Sequence, residues 1–151
     1  MNMLKTGLFL ILFVLYACNP CNNLDCAASS YSVAFRITRV SDSTDLVFGP
    51  NRTYDRTKIR VYALNGRDTT FFECKPFGYR SAGYDSLLLV DLTAAPPVAF
   101  IRLDDTDTDT LSVAYKTIST KCCGTITEIT SLRLNNNVEV PGGSDPLVIR
   151  K

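Results

Sequence analysis

Six cysteines carry most of the chemistry this chain could perform, and their spacing decides which kinds are open. Cys18-Asn19-Pro20-Cys21 sets two thiols at the spacing of a redox dithiol. A covalently attached haem would need a histidine after such a pair, and the sequence contains none. That absence also removes Ser-His-Asp and Cys-His catalysis and the histidine-bearing zinc centres. A four-thiolate zinc site drawn from Cys21, Cys26, Cys74 and either Cys122 or Cys123 lacks repeating ligand spacing. Adjacent Cys122 and Cys123, just before Gly124, could close a vicinal disulfide with redox character. Alternatively, they could send their sulfurs to two partners from opposite faces of a strand.

Oxygen chemistry is the second resource. Asp105-Thr106-Asp107-Thr108-Asp109 alternates carboxylates in a short polar run, the kind of loop that can offer hard ligands to calcium. With Asp105 in the first loop position, however, Thr110 stands where the turn glycine belongs and Lys116 where a bidentate glutamate belongs. A solvated hairpin turn accounts for the same residues. Glu73, Asp85, Asp91 and Glu128 could serve as acid and base, but neither motif nor spacing selects a pair, and no enzymatic activity is expected. Phe77, Tyr79, Arg80 and Tyr84 lie among Pro76, Gly78 and Gly83, a loop able to present rings and a guanidinium to a glycan or peptide. Tryptophan, the best carbohydrate platform, is absent.

Strands must position all of these groups. Val33, Phe35 and Ile37 alternate with Ala34, Arg36 and Thr38, and Ile59, Val61 and Ala63 alternate with Lys58, Arg60 and Tyr62. Asn65-Gly66 suits a tight turn, after which Thr69 to Cys74 resumes an extended composition and predicts a hairpin. Leu88, Val90 and Leu92 share a face. Val98 to Leu103 follows the Pro96-Pro97 break with apolar residues on both faces, as a central strand would. Leu111, Val113 and Tyr115 make the next alternating set. Ile126, Thr130, Leu132 and Leu134 would share a face, but Glu128 falls on it and implies a bulge or a later start. Val138 to Val140 and Leu147 to Ile149 add short edge strands around Pro141-Gly142-Gly143. No helical stripe competes. About seven to nine short strands predict an all-β, two-sheet, immunoglobulin-like sandwich, with a small β-barrel as the alternative.

The N-terminus has a different pattern. Gly7 to Ala17 is uncharged and apolar, follows Lys5, and falls short of the roughly 20 apolar residues that span a bilayer, so it predicts an export signal rather than a membrane anchor. Leu15-Tyr16-Ala17-Cys18 resembles the lipobox of bacterial lipoproteins, with Tyr16 bulkier than usual at its position. The resemblance implies cleavage before Cys18, a diacylglycerol on its sulfur and a further acyl chain on the new amine. Asn19 in place of aspartate then implies passage to the outer membrane, and because the acidic runs that mark surface export in some lineages are missing, a periplasm-facing protein is expected. Together with the β pattern, the lipobox makes the chain similar to small lipoproteins of Gram-negative envelopes. That likeness supplies neither a catalytic residue nor a ligand.

The expected organisation is a signal peptide at 1–17, a lipidated cysteine and tether at 18–30, and a single domain at 31–151. Only Lys5 is charged in the signal, so 16 basic and 15 acidic residues become 15 and 15, which gives no electrostatic case for nucleic acid. Lipidation of Cys18 would remove one thiol of the C-x-x-C pair. The other five would leave one over, and five choices of the odd thiol times three pairings gives fifteen two-bridge arrangements. A bridge from Cys21 or Cys26 to the domain would pin the first strand beside the lipid, and one from Cys74 to Cys122 or Cys123 is equally consistent. The expected function is a membrane-anchored, cofactor-free envelope protein that contacts another protein or a glycan without catalysis. The alternatives are a module for glycan, peptide or calcium and a thiol-redox protein.

Overall fold

The structure is a computed structural model that describes residues 21, 26, 29, 31–77, 87–137, 139–142 and 146–151. These residues form two units, one made of Ser29–Thr117 and Thr127–Lys151, the other including Ile118–Ile126 with Cys21 and Cys26. The larger unit is an all-β, two-sheet sandwich and not a closed barrel.

The described strands, in chain order, are β1 (Ser32–Thr38), β2 (Arg60–Asn65), β3 (Asp68–Phe72), β4 (Cys74–Phe77), β5 (Leu87–Asp91), β6 (Val98–Arg102), β7 (Thr108–Thr120), β8 (Gly124–Leu134), β9 (Glu139–Pro141) and β10 (Leu147–Arg150). One sheet has the order β10-β1-β5-β4 and the other β3-β2-β6-β7-β8-β9. β1 runs antiparallel to β5 and parallel to β10, with Phe35 opposite Leu88 on one side and Leu147 on the other. The period-two pattern thus puts Val33, Phe35, Ile37, Leu88, Val90, Leu147 and Ile149 in the core, along with Val61, Ala99, Ile101 and Leu111 from the second sheet. Burying each of the larger of these side chains is worth about 1.5–3 kcal/mol, which is what makes this register prevail over a one-residue slip. β6 is central, as its two apolar faces predict.

Turn and edge chemistry fit the same plan. Asn65 pairs with Asp68 across a two-residue turn whose first residue, Gly66, has φ 63°, the conformation that a primed hairpin turn asks of glycine. Pro76 lies in β4 and Pro141 in β9, each at a sheet edge, where a missing N–H costs no ladder bond. Gly142 is required by close approach, since a Cβ there would sit 2.0 Å from the Ile129 carbonyl oxygen.

One strand expectation changes, and one irregularity is found where it was expected. Thr69 to Cys74 is not one strand: β3 ends at Phe72 in the six-stranded sheet, and β4 begins at Cys74 in the other sheet. Phe72 and Cys74 keep the same inward parity through Glu73, so the alternation shows no break where the chain changes sheets. In β8 the core-facing positions switch from Ile129 to Leu132 and Leu134, the phase change that Glu128 signals in the sequence.

Candidate functional site

Both tether cysteines are bridged to the β7–β8 hairpin. Cys21 pairs with Cys122 and Cys26 with Cys123, at Cα separations of 5.2 and 5.3 Å. Cys122 and Cys123 do not close a vicinal disulfide, because each holds its own partner. The turn between the strands is set by Thr120, whose Oγ1 accepts from the Cys123 N–H at 2.9 Å and donates to the Gly124 carbonyl at 3.2 Å, and by Gly124, with φ 68°. Cys74 is corrected from a disulfide candidate to a free thiol. It packs half-buried against the sandwich core, and burial pushes its pKa up to about 11, so it is a protonated, poor nucleophile at neutral pH. The lipidation candidate Cys18 lies outside the described residues.

The aspartate run does not assemble a calcium loop. Asp105 points outward and pairs with Arg102. Asp104 accepts from the N–H and hydroxyl of Thr106 and from the N–H of Asp107; the Thr106 backbone bond is the main reason its pKa lies below the ordinary carboxylate value. Asp107 and Asp109 do converge, but on Lys151, whose Nζ donates to Asp107 Oδ1 at 2.6 Å and to Asp109 Oδ1 at 2.8 Å. The cation in this site is therefore the chain's own ammonium. Among the described residues no group of three or more carboxylate or thiol ligands could hold a metal.

Neighbouring side chains complete this network. The Tyr54 hydroxyl donates to Asp107 Oδ2 at 2.6 Å, and Asn135 Nδ2 donates to Asp109 Oδ1 at 2.6 Å. Asp109 is 2% exposed and its Oδ2 has no hydrogen-bond partner, so Lys151 and Asn135 compensate a sealed carboxylate through one oxygen. Burial alone would lower the Lys151 pKa, but the two carboxylates outweigh it and hold the pKa above its ordinary value. Burial, then Asp107, raises that of Tyr54. The arrangement clamps the end of β10 to the start of β7.

An open recess lies elsewhere on the sandwich. Ser32, Phe71, Glu73, Lys75, Leu89 and Asp91 line a groove of about 380 Å³ where β3 hands the chain to β4. Phe71 is 66% exposed and forms its aromatic wall. Behind it a cross-strand row continues, with Tyr62 at 5.9 Å from Phe71 and stacked at 5.3 Å on Phe100. Lys75 Nζ pairs with Glu73 Oε2 at 2.8 Å. Two of the four carboxylates weighed as acid and base, Glu73 and Asp91, thus share this groove, whereas Glu128 is exposed on β8 and Asp85 is outside the described residues.

Of the aromatic-loop candidates, Phe77 ends β4, and Tyr79, Arg80 and Tyr84 lie outside the described residues. The sequence reading missed Phe71 and Tyr62 as a pair. The signal was available, since a two-residue turn at Gly66-Arg67 fixes them as cross-strand neighbours on the outer face. Comparison with protein-family models, with curated proteins and with solved structures finds no match to this chain.

Proposed function

We propose that this chain is a lipid-anchored protein of the bacterial envelope, attached to the outer membrane through Cys18 and facing the periplasm, with a sandwich that binds an envelope glycan without transforming it. The observation that carries the binding role is the Phe71 groove. An exposed ring beside hydroxyl, carboxylate and ammonium groups offers a saccharide both a stacking face for its C–H surface and hydrogen-bond partners for its hydroxyls. The paired bridges support an exported protein, because disulfides persist in oxidising compartments. A thiol-redox role has less support, as Cys122 and Cys123 serve separate partners and the Cys74 thiol is held protonated.

Two arms test the reading. Fatty-acid labelling and membrane fractionation of wild type and Cys18→Ala address the anchor, with loss of label and release from membranes expected in the variant; unchanged label would exclude lipidation at Cys18. Titration of wild type and Phe71→Ala with isolated envelope polysaccharide addresses the groove. Loss of stacking should weaken binding by about 1 kcal/mol or more, whereas equal affinity in the two proteins would exclude Phe71 as the platform.

A further inference from the structure

We infer that the tip of the β7–β8 hairpin, Ile118–Ile126, rests on the lipid headgroups of the membrane that carries the anchor, as a second, noncovalent contact. The inference depends on the lipidation of Cys18 proposed above. Its geometry comes from the covalent chain. Three residues of backbone link Cys18 to Cys21 and reach at most about 11 Å. The first bridge then places the Cys122 Cα 5.2 Å from that of Cys21. Cys122 is therefore held within about 16 Å of the acylated residue, whose chains must be immersed in hydrocarbon. The headgroup zone fills about 5–8 Å beyond that hydrocarbon on each side of a bilayer.

Without the bridges, the thirteen steps of chain from Cys18 to Tyr31 would permit a separation of about 45 Å, and no part of the protein would be confined to the surface. The second bridge, Cys26 to Cys123, adds another attachment to the neighbouring residue and prevents the tip from pivoting about one bond. The tip suits this environment. Ile118–Ile126 contains Lys121, which is exposed, and no acidic residue, so its charge is attracted to anionic headgroups. Thr120 and Thr125 supply hydroxyls, and no side chain in the stretch is fully buried.

The test uses the full-length protein in its own membranes, with benzoylphenylalanine replacing the exposed Thr125 as a photocrosslinking probe. Irradiation should yield a lipid adduct. Inserting ten Gly/Ser residues between Pro20 and Cys21 preserves all four bridging cysteines but lengthens the leash, and it should reduce the adduct by at least about fivefold. A fatty-acid-labelled protein that gives no adduct, or one whose adduct is unchanged by the insertion, would overturn the tip contact alone. Absence of the fatty-acid label would overturn the anchor and the tip contact together.

Discussion

The sandwich and the bridged hairpin tip are held by opposite means. Inside the sandwich, Phe35, Ile37, Ile101 and Leu111 are 0% exposed, and its described cysteine, Cys74, keeps a free thiol. In Ile118–Ile126 no residue is fully buried, yet two disulfides tie this short stretch to Cys21 and Cys26. Apolar burial stabilises the native state directly, whereas a crosslink acts chiefly by restricting the unfolded chain. Crosslinks are therefore concentrated where the chain has too little apolar surface to build a core.

Removing the crosslinks should give the largest effect. The bridges span 101 and 97 residues, so Cys21→Ser/Cys26→Ser frees the unfolded chain of both a very long loop and a small ring and should cost about 6–7 kcal/mol in urea melts. Either single variant should cost much less, about 2 kcal/mol, because the remaining bridge still closes the long loop and only the small ring through 21–26 and 122–123 is lost. Two single losses that sum to the double would show that the bridges act independently and would break this account.

Phe35→Ala tests the other region with both bridges intact. A large ring lost from a sealed site should cost about 3–5 kcal/mol, and a loss under about 1 kcal/mol would mean that the interior is not the principal support of the sandwich. Lys151→Met should have a smaller effect, about 2–3 kcal/mol, since it strands the sealed Asp109 carboxylate while the lysine itself is partly open to water. Its sharper readout is the alkaline limb of stability. Lys151 has a native pKa above its ordinary 10.5, so its contribution is complete below that pH and disappears as pH rises through the native value. Tyr54, raised from 10.0, acts with the same sign. Wild type should lose stability above about pH 10 and the variant should follow a flatter curve; coincident slopes would remove Lys151 from that linkage.

Most of the architecture could be read from alternation, because a half-buried strand writes its environment into every second residue. The features missed depend on relationships that alternation does not encode. Glu73 carries the chain between sheets without disturbing parity, so β3 and β4 look continuous. The aspartate run looks like a cation loop until Lys151, 42 residues from Asp109, supplies the cation. The groove is assembled from β1, β3, β4 and β5 and has no local motif. The cysteines were legible as a tether clamp, but choosing among their pairings required the turn that presents Cys122 and Cys123 side by side.

That clamp also makes the chain topologically resistant to shedding. A single protease cut anywhere between Cys21 and Cys122 leaves its two fragments covalently joined through the bridges. If Cys18 carries the lipid, detachment of everything beyond the cut requires cleavage together with reduction, or a cut within the short span from Cys18 to Cys21. Retention at the membrane then works as a two-key lock, in which a protease holds one key and a reductant the other.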